Sequence, residues 1–159
     1  MFIGEYTHNL DAKGRIIIPA KFREALNTTF ILTRGLDDCL TIYSYEQWNK
    51  IFERLNKLST TKSITRQYIR ILTSGATECE LDNQGRIQIP GFLSKSVAIT
   101  KECVIIGAND HVEIWDKGKW EEYYENASAS FEAVAEELSE LLDEWWNIIV
   151  LCWMKQSPC

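Results

Sequence analysis

Two aspartates, Asp11 and Asp82, each stand four residues ahead of an arginine, Arg15 and Arg86, with a glycine, Gly14 or Gly85, just before the arginine. Residues of these types at this spacing can do three kinds of chemistry. The carboxylate can accept backbone N–H bonds that shape a tight turn, or clasp the arginine as a local ion pair. The guanidinium, projected from the turn, can hold a phosphate oxygen or make a bidentate contact to guanine O6 and N7. Two aspartates related by repetition could instead share a proton as a hydrolytic dyad.

The repetition is extensive. Leu10-Asp11-Ala12-Lys13-Gly14-Arg15-Ile16-Ile17-Ile18-Pro19 returns as Leu81-Asp82-Asn83-Gln84-Gly85-Arg86-Ile87-Gln88-Ile89-Pro90, with seven of the ten residues identical. Gly4 also matches Gly75, and after one extra residue in the second copy Gly35 matches Gly107, Ile42 matches Ile114 and Trp48 matches Trp120. One ancestral unit therefore occurs twice, and a 159-residue chain that is 45% hydrophobic suits two small units fused around one core.

The dyad is the weaker reading. No Asp-Thr-Gly or Asp-Ser-Gly is present, and an arginine close to each aspartate would keep both acids ionised. The two histidines, His8 and His111, read as surface turn or strand residues, and neither a His/Cys cluster nor a glycine-rich phosphate loop stands out. We therefore expect no enzymatic activity, no cofactor, no metal and no small-molecule substrate. An Asp and an Arg bracketing one turn could form only a surface ion pair, worth about 0–1 kcal/mol. Two identical tips brought side by side by pseudo-symmetry favour a shared binding surface instead. Lys13 strengthens the first tip, and Gln84 leaves the second less cationic.

The elements that must position these residues follow from pattern. Residues 3–10 read as a strand, 11–14 as a turn and 15–18 as a second strand, giving a β-hairpin, after which Pro19 opens a short helix to about Leu26. Alternation sends Ile16 and Ile18, and likewise Ile87 and Ile89, to the core, while Arg15 and Arg86 point outward. Gly14 and Gly85 fall where the turn needs a positive φ. Strands near Phe30–Arg34 and Leu40–Tyr43 flank a Gly35-Leu36-Asp37-Asp38 turn, and strands near Val104–Ile106 and Val112–Trp115 flank Gly107-Ala108-Asn109-Asp110. The boundaries expected are 5–47 for the first repeat, 48–75 for a helical connector, 76–119 for the second repeat, 120–142 for a helical region and 143–159 for an aromatic tail.

Apolar residues recur at helical spacing from Tyr45 through Trp48, Ile51, Phe52 and Leu55 to Leu58, and from Phe131 through Val134, Ala135, Leu138 and Leu141 to Leu142. We read both as packing faces, in part between subunits of an oligomer. Between the repeats Lys62, Arg66 and Arg70 form a basic i, i+4, i+8 stripe opposite Ile64, Tyr68, Ile71 and Leu72. This stripe is a secondary candidate for DNA or interface contacts, since such stripes are more often solvated or ion-paired. The segment from Glu144 to Met154 holds three of the six tryptophans and is too short for a membrane span, which takes about 20 apolar residues; it could dock on its own domain or on another subunit, or serve no docking role.

The net charge of −6 is unevenly distributed. Residues 1–112 carry 14 Lys and Arg against 12 Asp and Glu, whereas residues 113–145 carry 2 against 11. A nearly neutral body can still bind phosphates if its few cations converge, because the local field decides. Five cysteines without C-x-x-C spacing argue against a disulfide framework and a zinc site, and Met1 to Tyr6 lacks the basic and apolar regions of a secretory leader. A cytoplasmic protein is expected.

The duplicated Asp-x-x-x-Arg motif, with its internal Gly and following Ile-x-Ile-Pro, resembles the MraZ family over residues 1 to about 142. The halves of that family resemble the swapped-hairpin units of AbrB-type regulators. The resemblance implies a mainly β fold with flanking helices, a duplicated swapped-hairpin β-barrel built from two pseudo-symmetric repeats in one chain. It implies a nucleoid-associated transcriptional regulator whose ring-shaped homo-oligomers bind direct repeats of double-stranded DNA in the promoter of the division and cell-wall gene cluster containing its own gene, repressing it. Carried over by position, the signature pairs are Asp11 with Arg15 and Asp82 with Arg86, flanked by Lys13, Gly14 and Gly85. An interaction ring or antitoxin-like module that binds a protein remains the alternative.

Overall fold

The computed structural model describes the backbone of residues 1–141 and the side chains as far as Leu138; the aromatic tail, 143–159, lies outside the described residues. In chain order the elements are β1 (Phe2–Asn9), β2 (Arg15–Ile17), α1 (Ala20–Leu26), β3 (Thr29–Arg34), β4 (Leu40–Ser44), α2 (Tyr45–Leu55), α3 (Ser63–Ser74), β5 (Thr77–Glu80), β6 (Arg86–Gln88), α4 (Gly91–Ser96), β7 (Glu102–Asn109), β8 (Val112–Asp116), α5 (Lys117–Ala129) and α6 (Phe131–Leu141). Met1–Trp120 form one compact unit and a second begins at Glu121.

The strands of the first unit form an antiparallel six-stranded sheet in the order β1-β7-β8-β4-β3-β5, and a separate two-stranded sheet, β2-β6. Exchanging each strand for its counterpart in the other repeat reproduces the same order in reverse. The duplication read from sequence is thus a structural one, and the two repeats are interwoven: β1 of the first pairs with β7 of the second, and β5 of the second pairs with β3 of the first.

This exchange corrects the local hairpin expected from residues 3–18. β1 and β2 do not form a ladder with each other; a single bond from Asp11 N–H to the Arg15 carbonyl, 2.9 Å, closes the turn between them. The physical reason is length. β7 offers β1 eight register partners, from Phe2↔Asn109 to Asn9↔Glu102, whereas β2 is three residues long and satisfies its backbone on β6 instead.

A second correction concerns Gly107, expected in a turn. It lies within β7 opposite Gly4, and the turn is shifted to Asp110-His111, closed by Ala108 N–H on the His111 carbonyl at 2.9 Å. The glycine is needed because the strands approach closely here: a Cβ at Gly107 would lie 2.4 Å from the Phe2 carbonyl carbon and 2.5 Å from the Ile3 nitrogen.

The core lies where alternation places it. Ile16, Ile18, Ile87 and Ile89 are all at most 2% exposed and pack with Phe22 and Leu26 of α1, Leu93 of α4 and the inner sheet residues Phe30, Leu32, Ile42, Ile105 and Ile114. Phe22 meets Phe2 and Tyr6 edge-on, at ring-centroid distances of 5.7 and 5.3 Å. Cys39, Cys79 and Cys103 are buried free thiols; burial pushes Cys39 up to about 12, which leaves it an inert core residue.

The helices divide the apolar residues between covered and exposed positions. α2 begins at a Ser44 cap that accepts a bond from Gln47 N–H and ends at Leu55, so Leu58 falls beyond it and is exposed. On α3 three of the four residues read as its apolar side are exposed: Ile64 is 73% exposed, Tyr68 47% and Ile71 59%. The inward residues are Thr65, Ile69 and Leu72, and Thr33 Oγ1 donates to the Leu72 carbonyl at 3.2 Å. In the second unit Phe131, Val134 and Leu138 of α6 are exposed, and Leu142 lies outside the described residues.

Gly107→Ala is expected to destabilise the fold by about 1–3 kcal/mol, because the neighbour that must yield is backbone. Gly91→Ala, where a Cβ meets nothing within 4 Å, is expected to be neutral or slightly stabilising. Equal denaturation midpoints for the two variants would contradict the close β1–β7 approach.

Candidate nucleic-acid interface

The two Asp-x-x-x-Arg loops fold alike, bond for bond. Asp11 Oδ1 accepts from Lys13 N–H and Arg15 N–H, both 2.9 Å, and Oδ2 accepts from Arg15 Nε at 2.7 Å. Asp82 Oδ1 accepts from Gln84 N–H and Arg86 N–H, again 2.9 Å, and Oδ2 from Arg86 Nε at 2.8 Å. This geometry needs the chain to curl back on the carboxylate, which the left-handed glycines permit: φ is 76° at Gly14 and 73° at Gly85. The Asp therefore shapes the loop and aims its own arginine.

The β2–β6 pair then places the loops next to each other. Ile16 opposes Ile87 at the pseudo-twofold, Ile18 N–H donates to the Gly85 carbonyl at 2.9 Å, and Ile89 N–H donates to the Gly14 carbonyl at 2.8 Å. Gln88 Nε2 adds a bond to the Lys13 carbonyl at 2.6 Å, and Arg86 Nη1 lies 3.9 Å from Asp11 Oδ2, so each loop touches the other. Beneath them the four isoleucines are buried; above them the Arg15 and Arg86 side chains remain 29% and 22% exposed.

Electrostatics keep the carboxylates charged. The Arg15 backbone N–H, supported by its guanidinium and by Lys13 N–H, holds Asp11 below the usual carboxylate range, and Arg86 N–H, its guanidinium and Gln84 N–H do the same for Asp82. A dyad works by sharing a proton, and two acids each stabilised as anions by their own arginine are poorly suited to that. Only Nε of Arg15 is engaged; its two terminal nitrogens make no hydrogen bond or ion pair among the described residues. The arrangement is a pair of oriented guanidinium groups on a rigid base, suited to meeting an anion.

The other sequence candidates are placed elsewhere. Lys62 is the N-cap residue of α3, Arg66 turns its Nη1 back onto the Thr60 and Thr61 carbonyls at 2.9 and 2.7 Å, and Arg70 is exposed on α3. Among the described residues no hydrogen bond or ion pair joins any of them to the two loops. His8 lies on β1, and His111 lies in the β7–β8 turn, half-buried between Asp110 (2.7 Å) and Glu113 (3.1 Å), with its ring 5.4 Å from that of Tyr43. The hydrogen bond to Glu113, and a second to Asp110, raise the His111 pKa against the effect of burial.

One residue at the loops escaped the sequence reading. Arg23 of α1 donates from Nε to the Ile18 carbonyl at 2.7 Å and lays its guanidinium over Gly85, where an added Cβ would lie 2.2 Å from Cζ. Nothing in its spacing from Asp82 or Arg86 signals this, because the strand exchange alone brings α1 to the second loop.

A family described as "MraZ protein, putative antitoxin-like" matches the chain twice, over residues 1–71 and again over residues 72–141. The chain belongs to the MraZ family. Both MraZ segments contain one Asp-x-x-x-Arg loop, and the junction between them falls within α3. MraZ is a regulatory, antitoxin-like family, not an enzyme family. Among the described residues no helix is long and apolar enough to cross a membrane.

The depressed Asp11 and Asp82 pKa values set a sign. Their stabilisation of the loops is present at pH above the unfolded aspartate value and is lost as pH falls through the lower, folded value. In an NMR titration, the amide resonances of Lys13, Arg15, Gln84 and Arg86 are expected to move together, with a midpoint below that of the same loop sequences in unfolded peptides. A midpoint at or above the peptide value would contradict the clasp.

Proposed function

We propose that this MraZ-family protein is a sequence-specific, DNA-binding transcriptional regulator, a repressor of the division and cell-wall gene cluster that contains its own gene. The observation that carries the reading is the pair of aspartate-oriented arginine loops, alike in hydrogen bonding and joined edge to edge by β2 and β6. Arg15 and Arg86 are the principal contacts to duplex DNA, Lys13 adds charge at the first tip, and Asp11, Asp82, Gly14 and Gly85 hold the loops in shape. Lys62, Arg66 and Arg70 are at most secondary contacts, since Arg66 is spent on its own loop.

One pair of tips offers few cations, so affinity comes from repetition. A ring of subunits presents many such pairs along one duplex of direct repeats, and each further contact is intramolecular. The outward row of Ile64, Tyr68 and Ile71 on α3 supports association between copies. The site of action is the cytoplasm, at the nucleoid. The antitoxin-like description and that same apolar row favour a second reading, in which the ring binds a partner protein and no operator.

Mobility-shift titrations against the DNA upstream of the chain's own coding sequence, at two salt concentrations, separate the readings. Binding is expected to weaken steeply with salt, as phosphate neutralisation releases counterions. Arg15→Ala and Arg86→Ala are each expected to cost about 1–3 kcal/mol of binding, with fold and oligomer mass unchanged. Full affinity in both single variants and in the double variant would overturn the assignment. An oligomer that binds no DNA at low salt would leave the partner-protein reading.

A further inference from the structure

The two loops differ in their own charge. The first, 11–15, contains Asp11, Lys13 and Arg15 and carries one net positive charge; the second, 82–86, contains Asp82 and Arg86, with Gln84 in place of the lysine, and is neutral. Arg23 reaches the second loop from the other repeat. Its Cζ, Nη1 and Nε lie 2.2, 2.5 and 2.6 Å from where a Cβ of Gly85 would stand, so the guanidinium rests directly on the loop backbone next to Gln84. Its counterpart in the second repeat is Ser94, so α4 lays no such cation on the first loop, which has its own.

The Arg23 guanidinium is anchored at one point only. Nε bonds the Ile18 carbonyl at 2.7 Å, and the two terminal nitrogens make no hydrogen bond or ion pair among the described residues. Arg23 is half-buried, with its guanidinium held against the Gly85 backbone. An anchored, planar cation with unengaged donors suits an oxyanion.

We propose that Arg23 supplies the second loop with the phosphate-binding cation that Gln84 does not, so that both tips present one net positive charge to the backbone of a duplex. This rests on the DNA-binding reading and deepens it: Arg23 is a sequence-independent phosphate contact, contributed by one repeat to the loop of the other.

The test relocates the charge. The wild type, Arg23→Ala, Arg23→Lys, the double variant Arg23→Ala/Gln84→Lys, and the double variant Arg15→Ala/Arg86→Ala are titrated against the upstream duplex and a scrambled duplex of equal length across a range of salt. Arg23→Ala is expected to weaken binding to both duplexes by about tenfold near 0.1 M salt and to flatten the salt slope by about one. Arg23→Lys should retain the slope, and Gln84→Lys should restore it to the Arg23→Ala chain. A role confined to anchoring the Ile18 carbonyl predicts otherwise: Arg23→Ala would lower the melting temperature and Gln84→Lys would restore nothing, which would overturn the proposal. Full affinity and slope in Arg23→Ala, while Arg15→Ala/Arg86→Ala abolishes binding, would overturn this assignment and leave the DNA reading standing. A wild-type chain that binds neither duplex would overturn both.

Discussion

The structure depends on backbone hydrogen bonds that the two repeats exchange. A single repeat would leave β1 and β2 without ladder partners and β4 with only one, and unpaired backbone polar groups are costly to bury. Exchange satisfies all of them at once: β1 on β7, β5 on β3, β4 on β8 and β2 on β6. The same exchange closes the core, because Ile16 and Ile18 from one repeat and Ile87 and Ile89 from the other can be buried together only when β2 and β6 lie side by side. Neither half can thus be expected to hold its loop in place alone.

The loops inherit their rigidity from that arrangement. An exposed Asp–Arg ion pair contributes little to stability by itself. Here the carboxylate also accepts two backbone N–H bonds, the glycine removes the steric cost of the turn, and the strand that leaves the loop is pinned by buried isoleucines. The ion pair is then better understood as aiming the guanidinium than as stabilising the protein. An arginine ordered in advance would lose less side-chain freedom on meeting a ligand.

Pseudo-symmetry holds for the backbone and is broken in the side chains. Lys13 faces Gln84 across the twofold, Ile17 is matched by Gln88 and Arg23 by Ser94. Two of these differences make contacts across the repeat boundary: Gln88 bonds the Lys13 carbonyl and Arg23 covers Gly85. The β7–β8 turn is tied to the first repeat in a similar way, with His111 against Tyr43, and Gln47 of α2 bonded to Asp110. The two copies share a scaffold, and side chains that differ between them make contacts from one repeat to the other.

Much of this was legible in the sequence because it is governed by local rules. The identical decapeptides announced the duplication, period-two alternation put Ile16, Ile18, Ile87 and Ile89 inside and the arginines outside, and the glycine before each arginine demanded a left-handed turn that the aspartate could cap. What sequence could not decide is which strand pairs with which. A turn signal between two strand-like runs reads as a hairpin, and only the competition between an eight-residue partner and a three-residue one sends β1 to β7 and β2 to β6. Arg23 was invisible for the same reason, since its neighbour across the exchange is 62 positions away in the chain. The face that α3 turns inward was equally undetermined, because an apolar row at helical spacing says that a surface will be covered and not by what. Local stereochemistry is written residue by residue; the pairing of distant strands is a property of the whole folded chain.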